Sequence, residues 1–289
     1  MILIKTIKYF FRIIKEFLYI LIIRLIYFKK YLNINNPGLY KKYITTKKDI
    51  GLSLEYGISG FYRVKNEEKT LELSVESHIR YLDEIIIVYN DSNDNTPQIA
   101  LNLQKKYPEK IKVFEYEPKV FPPESLEQIL AKNNSVYGLA NYYNFTISKI
   151  TKKIAIKIDA DHICIENEFN KTIQKIKSER LDTMIYFYGV NVIKKDNKIF
   201  VNKNKPFTYG FDCGFFPLSQ KTYFINRQKC ETLVLPLKMY FTRKSAGVLF
   251  YHVKFMKKDF ELIENNMIIW GMAKNKYSKM LYNIPYPKI

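Results

Sequence analysis

Hydrophobic positions along this chain change period several times, and the changes predict elements in order. Apolar residues fill positions 1–32 with only scattered charges between them. Asn33-Ile-Asn-Asn-Pro-Gly38 then breaks that first helix, because Pro and Gly punctuate local structure. From Ile58 onward, short apolar runs alternate with helical spacing. The pattern predicts a strand over 58–64, a helix over 70–81 and a strand over 84–89, whose unbroken apolar run suits a central parallel strand. A helix over 97–107, a strand over 112–116 and a helix over 135–150 follow. Ile154, Ile156 and Ile158 alternate along a strand ending at Asp159, ahead of a helix over 167–178 and a strand over 183–192. This rhythm predicts an α/β fold with an open, mostly parallel, doubly wound sheet. The expected divisions are a helix over 1–34, a basic linker over 35–56, the α/β domain over 57–260 and a basic segment over 261–289.

Charge placement adds a partner to this picture. The net charge is +19, yet residues 1–54 hold 11 Lys/Arg against 2 acids and residues 236–289 hold 10 against 3. The body between them is nearly neutral, which is not the layout of a nucleic-acid cleft, so no nucleic acid is expected as a partner. It fits a domain held against an anionic membrane surface. On a helical wheel Lys5, Lys8, Arg12, Lys15, Lys29 and Lys30 share one face, with Arg24 outside it. The uncharged run 17–23 is far short of the roughly 20 residues a bilayer span needs. An amphipathic helix lying in the membrane interface is therefore expected; a signal anchor, or a core-packed or partner-binding helix, are the alternatives. Three irregularly spaced cysteines fit neither a disulfide framework nor a zinc site, and suit reduced thiols.

Three predicted strands end in polar clusters: Arg63-Val-Lys-Asn-Glu-Glu68, Asn90-Asp-Ser-Asn-Asp-Asn-Thr96 and Asp159-Ala-Asp-His162. In open α/β sheets ligands bind outside the carboxyl ends of the strands, so three such ends on one rim make a site. In an extended chain Asp159 and Asp161 project to the same side, and two carboxylates there call for a hard divalent cation. The alternative is a solvated turn in which Asp161 caps the next helix. His162 is read as a neighbour of the metal ligands or as a helix-start residue. Asp91 is placed to accept from a uracil ring N–H, or to form an Asx turn. Tyr209-Gly-Phe-Asp-Cys-Gly-Phe-Phe-Pro217 sets two glycines and several aromatics around Asp212, a candidate general base unless this is only a tight turn. His252 lies in the apolar run Leu249-Phe-Tyr-His-Val-Lys254. It is either a packed histidine or, with Lys254, a contact to metal or diphosphate.

Together these residues resemble the GT-A glycosyltransferases, in particular the family-2-like inverting enzymes. Asn141-Tyr-Tyr-Asn144 stands where that family usually has Ala-Arg-Asn. A closer likeness is to bacterial β-1,4-N-acetylgalactosaminyltransferases that build ganglioside-like lipooligosaccharide. It rests on Arg63-Val-Lys-Asn-Glu67 after an aromatic, the Tyr89-Asn-Asp91 turn, Tyr142-Tyr-Asn144 and Ile158-Asp-Ala-Asp-His162, and covers residues 57–219. The resemblance implies a GT-A fold, a UDP-sugar donor (GalNAc favoured), Mn2+ or Mg2+, and inversion; a basic, membrane-held enzyme suits a glycan or glycolipid acceptor at the cytoplasmic face of the inner membrane. It further implies that Arg63, Val64, Asn66, Glu67, Asp91, Asn144, Asp159 and Lys254 hold the nucleotide sugar. Asp161, Asp159 and His252 would hold the metal, and Asp212 would be the base. The chain departs from the pattern in having Tyr143 in place of the usual Arg, and Phe211 where an acid is common.

Other classes fit less well. A haloacid-dehalogenase phosphatase wants Thr or Val where Ile163 stands, on an early strand. A nucleotidyltransferase needs a Gly-rich basic loop, and a dinucleotide oxidoreductase needs G-x-G-x-x-G; neither is present. The non-enzymatic alternative is an inactive GT-A domain serving as a membrane-bound carbohydrate-binding or scaffold subunit.

Overall fold

The computed structural model describes residues 2–195, 198–202, 206–208, 213–227, 230–253, 267–270 and 284–287. Helices α1 (Ile2–Ile26) and α2 (Phe28–Ile34) lead through two 3-10 turns to β1 (Glu55–Val64). Then come α3 (Leu71–His78), β2 (Glu84–Tyr89), α4 (Thr96–Lys106) and β3 (Ile111–Glu115). Next are α5 (Leu126–Leu130), α6 (Leu139–Ser148), β4 (Lys152–Lys157), β5 (His162–Cys164) and α7 (Glu166–Glu179). The second half holds β6 (Ile185–Lys195), β7 (Lys198–Asn202), β8 (Gly214–Pro217), β9 (Tyr223–Asn226) and β10 (Glu231–Val234). It closes with α8 (Leu237–Thr242), β11 (Lys244–His252) and β12 (Met267–Ile269).

The main sheet runs β12-β7-β6-β8-β4-β1-β2-β3, with β11 joined to β6 and β5. Its β4-β1-β2-β3 half is parallel throughout. β8 runs antiparallel to β4 and β6, and β7 and β12 continue antiparallel. The sheet is therefore mixed, not mostly parallel as the rhythm of the first half predicts. The physical reason is the connections: helical crossovers impose parallel strands up to β4, whereas the two-residue link from β6 to β7 needs only a hairpin.

Alternation along the parallel strands feeds two cores, one on each face. Ile58, Tyr62, Ile154 and Ile156 enter one cluster; Phe61, Ala155, Tyr142 and Tyr143 enter the other. The chain order 3-2-1-4 places the switch in direction between β1 and β4, where a crevice opens at the strand ends. The three polar strand ends of the sequence therefore fall on one rim.

Segment 35–56, expected as a linker, lies against the body. Tyr43 and Ile50 are buried in the second core, and Asn141 Oδ1 accepts from Thr45 N at 2.9 Å. In α1 the cation outside the basic stripe, Arg24, points inward, and its Nη2 donates to Ala131 O at 3.3 Å. Ile23 and Tyr31 pack beside it on Leu130 and Ala131. Phe11, Phe17, Leu25 and Ile26 stay exposed on the outer side. Among the described residues no helix is long and apolar enough to cross a membrane.

Candidate active site

β1 and β4 end on either side of a cavity of about 630 Å3. Arg63, Lys65, Glu67 and Tyr143 line it together with Lys157, Asp159, Asp161 and His162, and Glu231 and His252 also face it. β4 stops at Lys157, two residues short of the expected end, and His162 N donates to Asp159 O at 2.9 Å. A turn, not extended alternation, thus brings both carboxylates to one cavity. It also makes them unequal: the Asp159 side chain is 42% exposed and that of Asp161 only 9%.

The histidines reach Asp161 through strand pairing. β11 lies between β5 and β6, so His252 stands opposite His162 on one side and Asn191 on the other. Asn191 Oδ1 lies 2.8 Å from His252 Nδ1, and since that oxygen only accepts, Nδ1 carries the proton. Nε2 then faces Asp161 Oδ2, 3.5 Å away. His162 has the opposite bias. Its Nδ1 accepts from Asp159 N at 3.4 Å, which turns the Nε2–H toward Asp159 (3.8 Å) and Asp161 (3.9 Å). Burial pushes the His162 imidazole down to about 4, and it stacks on Phe250 with ring centroids 3.8 Å apart. Donor atoms of Asp161, His162 and His252 lie within 4.8 Å of one another, so the group fits a divalent cation. His252 and Asp161 are oriented as ligands; His162 is oriented to hold the carboxylates.

Positive charge faces this group. The cavity walls partly desolvate Asp159 and oppose its ionisation, yet Lys157 (Nζ to Oδ1 4.0 Å), His162 and Arg63 together hold its carboxyl below the usual range. The Arg63 guanidinium lies over the Tyr143 ring at 4.0 Å and the Tyr142 ring at 5.3 Å, and Nη2 donates to Tyr143 Oη at 2.6 Å. Among the described residues its buried Nε has no hydrogen-bond partner. Tyr143, in place of an arginine, therefore carries the neighbouring arginine on its face.

The remaining expected residues fall in different places. Val64 is a core side chain, and its carbonyl accepts from Asn90 N at 3.1 Å. Asn66, at φ +56, accepts from Asn93 N at 2.8 Å and lines a smaller cavity with Glu67, Glu68 and Asp94. Asp91 is held by Lys65 at 2.6 Å, which with Lys119 keeps its carboxyl below the usual range; it does not line the main cavity. Asn144 also lies off the cavity, its amide pairing with both backbone groups of Phe224 at 2.7 and 3.0 Å. Asp212 and Lys254 lie outside the described residues. Lys157, Asn191 and Glu231 escaped the sequence reading. Lys157 alone left a signal, as a cation sharing the face of Asp159 in an apolar strand.

A GT-A-like α/β sheet, open at its switch point onto paired carboxylates and imidazoles, has the form of a glycosyltransferase. The family model for Beta-1,4-N-acetylgalactosaminyltransferase (CgtA) matches residues 24–214, about two thirds of the chain, and the chain belongs to this family. No curated protein matches it by sequence. Among solved structures it is similar to TarS 1–349 of S. aureus in complex with UDP, at 12% identity over 68% of this chain and 60% of that one (TM-score 0.41). It is also similar to glucosyl-3-phosphoglycerate synthase from Mycobacterium tuberculosis with Mn2+, UDP and glucosyl-3-phosphoglycerate. There the identity is 18% over 46% of this chain and 43% of that one (TM-score 0.32). The chain thus matches less than two thirds of the length of either structure.

Proposed function

We propose that this chain is an inverting transferase that moves a hexose or N-acetylhexosamine, GalNAc favoured, from a UDP-sugar to a lipid-linked or lipooligosaccharide glycan. The observation that carries the reading is the joining, at one switch-point cavity, of the Asp161–His252 pair with the Arg63 and Lys157 cations. The carboxylates alone would repel a diphosphate, and the cations alone would not orient it. A mixed oxygen and nitrogen donor set favours Mn2+ over Mg2+.

When bound, the metal supplies Lewis acidity that neutralises charge developing on the diphosphate. The protein does the rest. Lys157 holds Asp159 ionised beside the donor, and Arg63 presents its guanidinium to the cavity from the Tyr143 face. Asp212 takes the acceptor hydroxyl proton as that oxygen bonds to the anomeric carbon. The bond from that carbon to the diphosphate oxygen breaks on the opposite face, and its electron pair leaves with UDP. The test is a screen of UDP-sugars with Mn2+ and glycan acceptors, reading released UDP. Turnover greatest with UDP-GalNAc is expected. No release from any UDP-sugar would instead favour the inactive carbohydrate-binding subunit.

Asn191 sets the tautomer of His252, so Asn191→Ala is expected to weaken Mn2+ binding about 10- to 100-fold. Metal titration of the full chain checks this, and unchanged affinity would remove His252 as a ligand. The outer face of α1 supports a site of work at the cytoplasmic side of the inner membrane. Phe17→Glu with Leu25→Glu, both on that face, is expected to abolish flotation of the chain with anionic vesicles. Retained flotation would assign the attachment elsewhere.

A further inference from the structure

Helix α1 does more than present an outer face. Its Glu16, the one acid among the first 48 residues, has a side chain only 17% exposed and lies 3.7 Å from Arg227 Nη1. Arg227 follows β9 directly, and its N–H donates to Cys230 O at 2.8 Å, closing the β9–β10 hairpin. That hairpin borders the cavity: Cys230 and Glu231 line it. On β9, Phe224 stacks on Tyr143 with centroids 4.4 Å apart, and Tyr143 in turn carries Arg63.

A second connection runs beside the first. Asn226 pairs with Glu231 across the hairpin. Its Nδ2 donates to Lys132 O at 2.9 Å, and its Oδ1 accepts from Gln128 Nε2 at 2.7 Å. The same short stretch holds the end of α2: Lys132 N donates to Asn35 Oδ1 at 2.7 Å and Ser135 Oγ to Ile34 O at 2.8 Å. The N-terminal helices therefore hold the two-stranded β9–β10 sheet directly by an ion pair and, through the 128–135 stretch, by hydrogen bonds.

We infer that α1 is a working part of the cavity: Glu16, through Arg227, positions the β9–β10 hairpin and thereby the Glu231 and Tyr143–Arg63 side on which the donor rests. Neither residue touches the cavity, so both act by positioning. The ion pair is partly buried, and its loss is expected to weaken donor binding about fivefold. The donor's identity rests on the proposed function; the bracing of the hairpin does not.

The experiment uses the full chain without membranes and compares Glu16→Lys, Arg227→Glu and the double charge swap. Two readouts are taken: UDP affinity by calorimetry with Mn2+, and hydrogen exchange of amides in 223–234. Each single variant is expected to bind UDP about fivefold more weakly and to exchange faster in the hairpin, and the swap to restore both. Glu16→Gln supplies a milder single variant if a reversed charge prevents folding. Unchanged hairpin exchange in the single variants, or a swap no better than either, would overturn the inference. If the wild-type chain binds no UDP, the donor assignment fails while hydrogen exchange still decides whether α1 braces the hairpin.

Discussion

Asp161→Asn is expected to reduce transfer by at least about 10³-fold while leaving the fold intact. The change keeps the shape of a side chain that is 91% covered, so packing is preserved. It removes the negative charge facing Nε2 of His252 and leaves that imidazole without an anionic co-ligand. Metal assistance contributes several kcal/mol at the transition state, and each 1.36 kcal/mol is tenfold in rate. Asp159→Asn should cost less, because its carboxylate is far more exposed and is already paired with Lys157. Asp212→Asn, the proposed base, should lower turnover while UDP affinity stays as it was. UDP release, thermal melting and UDP titration of the three purified variants separate these outcomes. Near wild-type transfer by Asp161→Asn would sink the metal assignment.

Gly189→Ala is the second large effect, and it acts from behind the site. Gly189 on β6 stands beside Phe250 on β11 in parallel register. A Cβ there would meet three atoms of the Phe250 ring at 2.7 Å or less, so the ring has to move. Phe250 is 2% exposed and already fills its space against Phe187 and the His162 ring, so the added methyl presses toward the metal-binding group. Overpacking of this kind typically costs about 1–3 kcal/mol. For a chain of this size, that lowers the melting temperature by several degrees. Mn2+ affinity is expected to fall as well, because His162 loses its stacking partner. Phe250→Leu in the same background should recover much of the stability. A Gly189→Ala chain as stable as wild type would mean the ring is not confined as described.

The sequence alone determined the parallel half of this fold and the rim on which its chemistry lies. The continuous apolar run 84–89, the alternation through Ile154 and Ile156, and helical spacing between them are local signals, and each predicted element is present within a few residues. Arg63, Asp159 and Asp161 were legible for the same reason: a polar cluster that ends an apolar strand is visible without knowing what faces it. The antiparallel half was not, because pairing of β8 with β4 or β11 with β5 depends on contacts distant in sequence.

The site's finer chemistry has the same origin. His252 was already a candidate ligand by sequence, but that Asp161 and His162 stand on one side of it and Asn191 on the other was set by strand register. Asn144 looked like a donor contact, but its amide serves the backbone of Phe224, a partner 80 residues away that no spacing announces. The basic stripe of α1 could be drawn on a wheel. That Glu16 and Arg24 turn inward, onto Arg227 and Ala131, was decided by tertiary packing: a charge docks where a partner is brought near, and local periodicity carries no record of that partner.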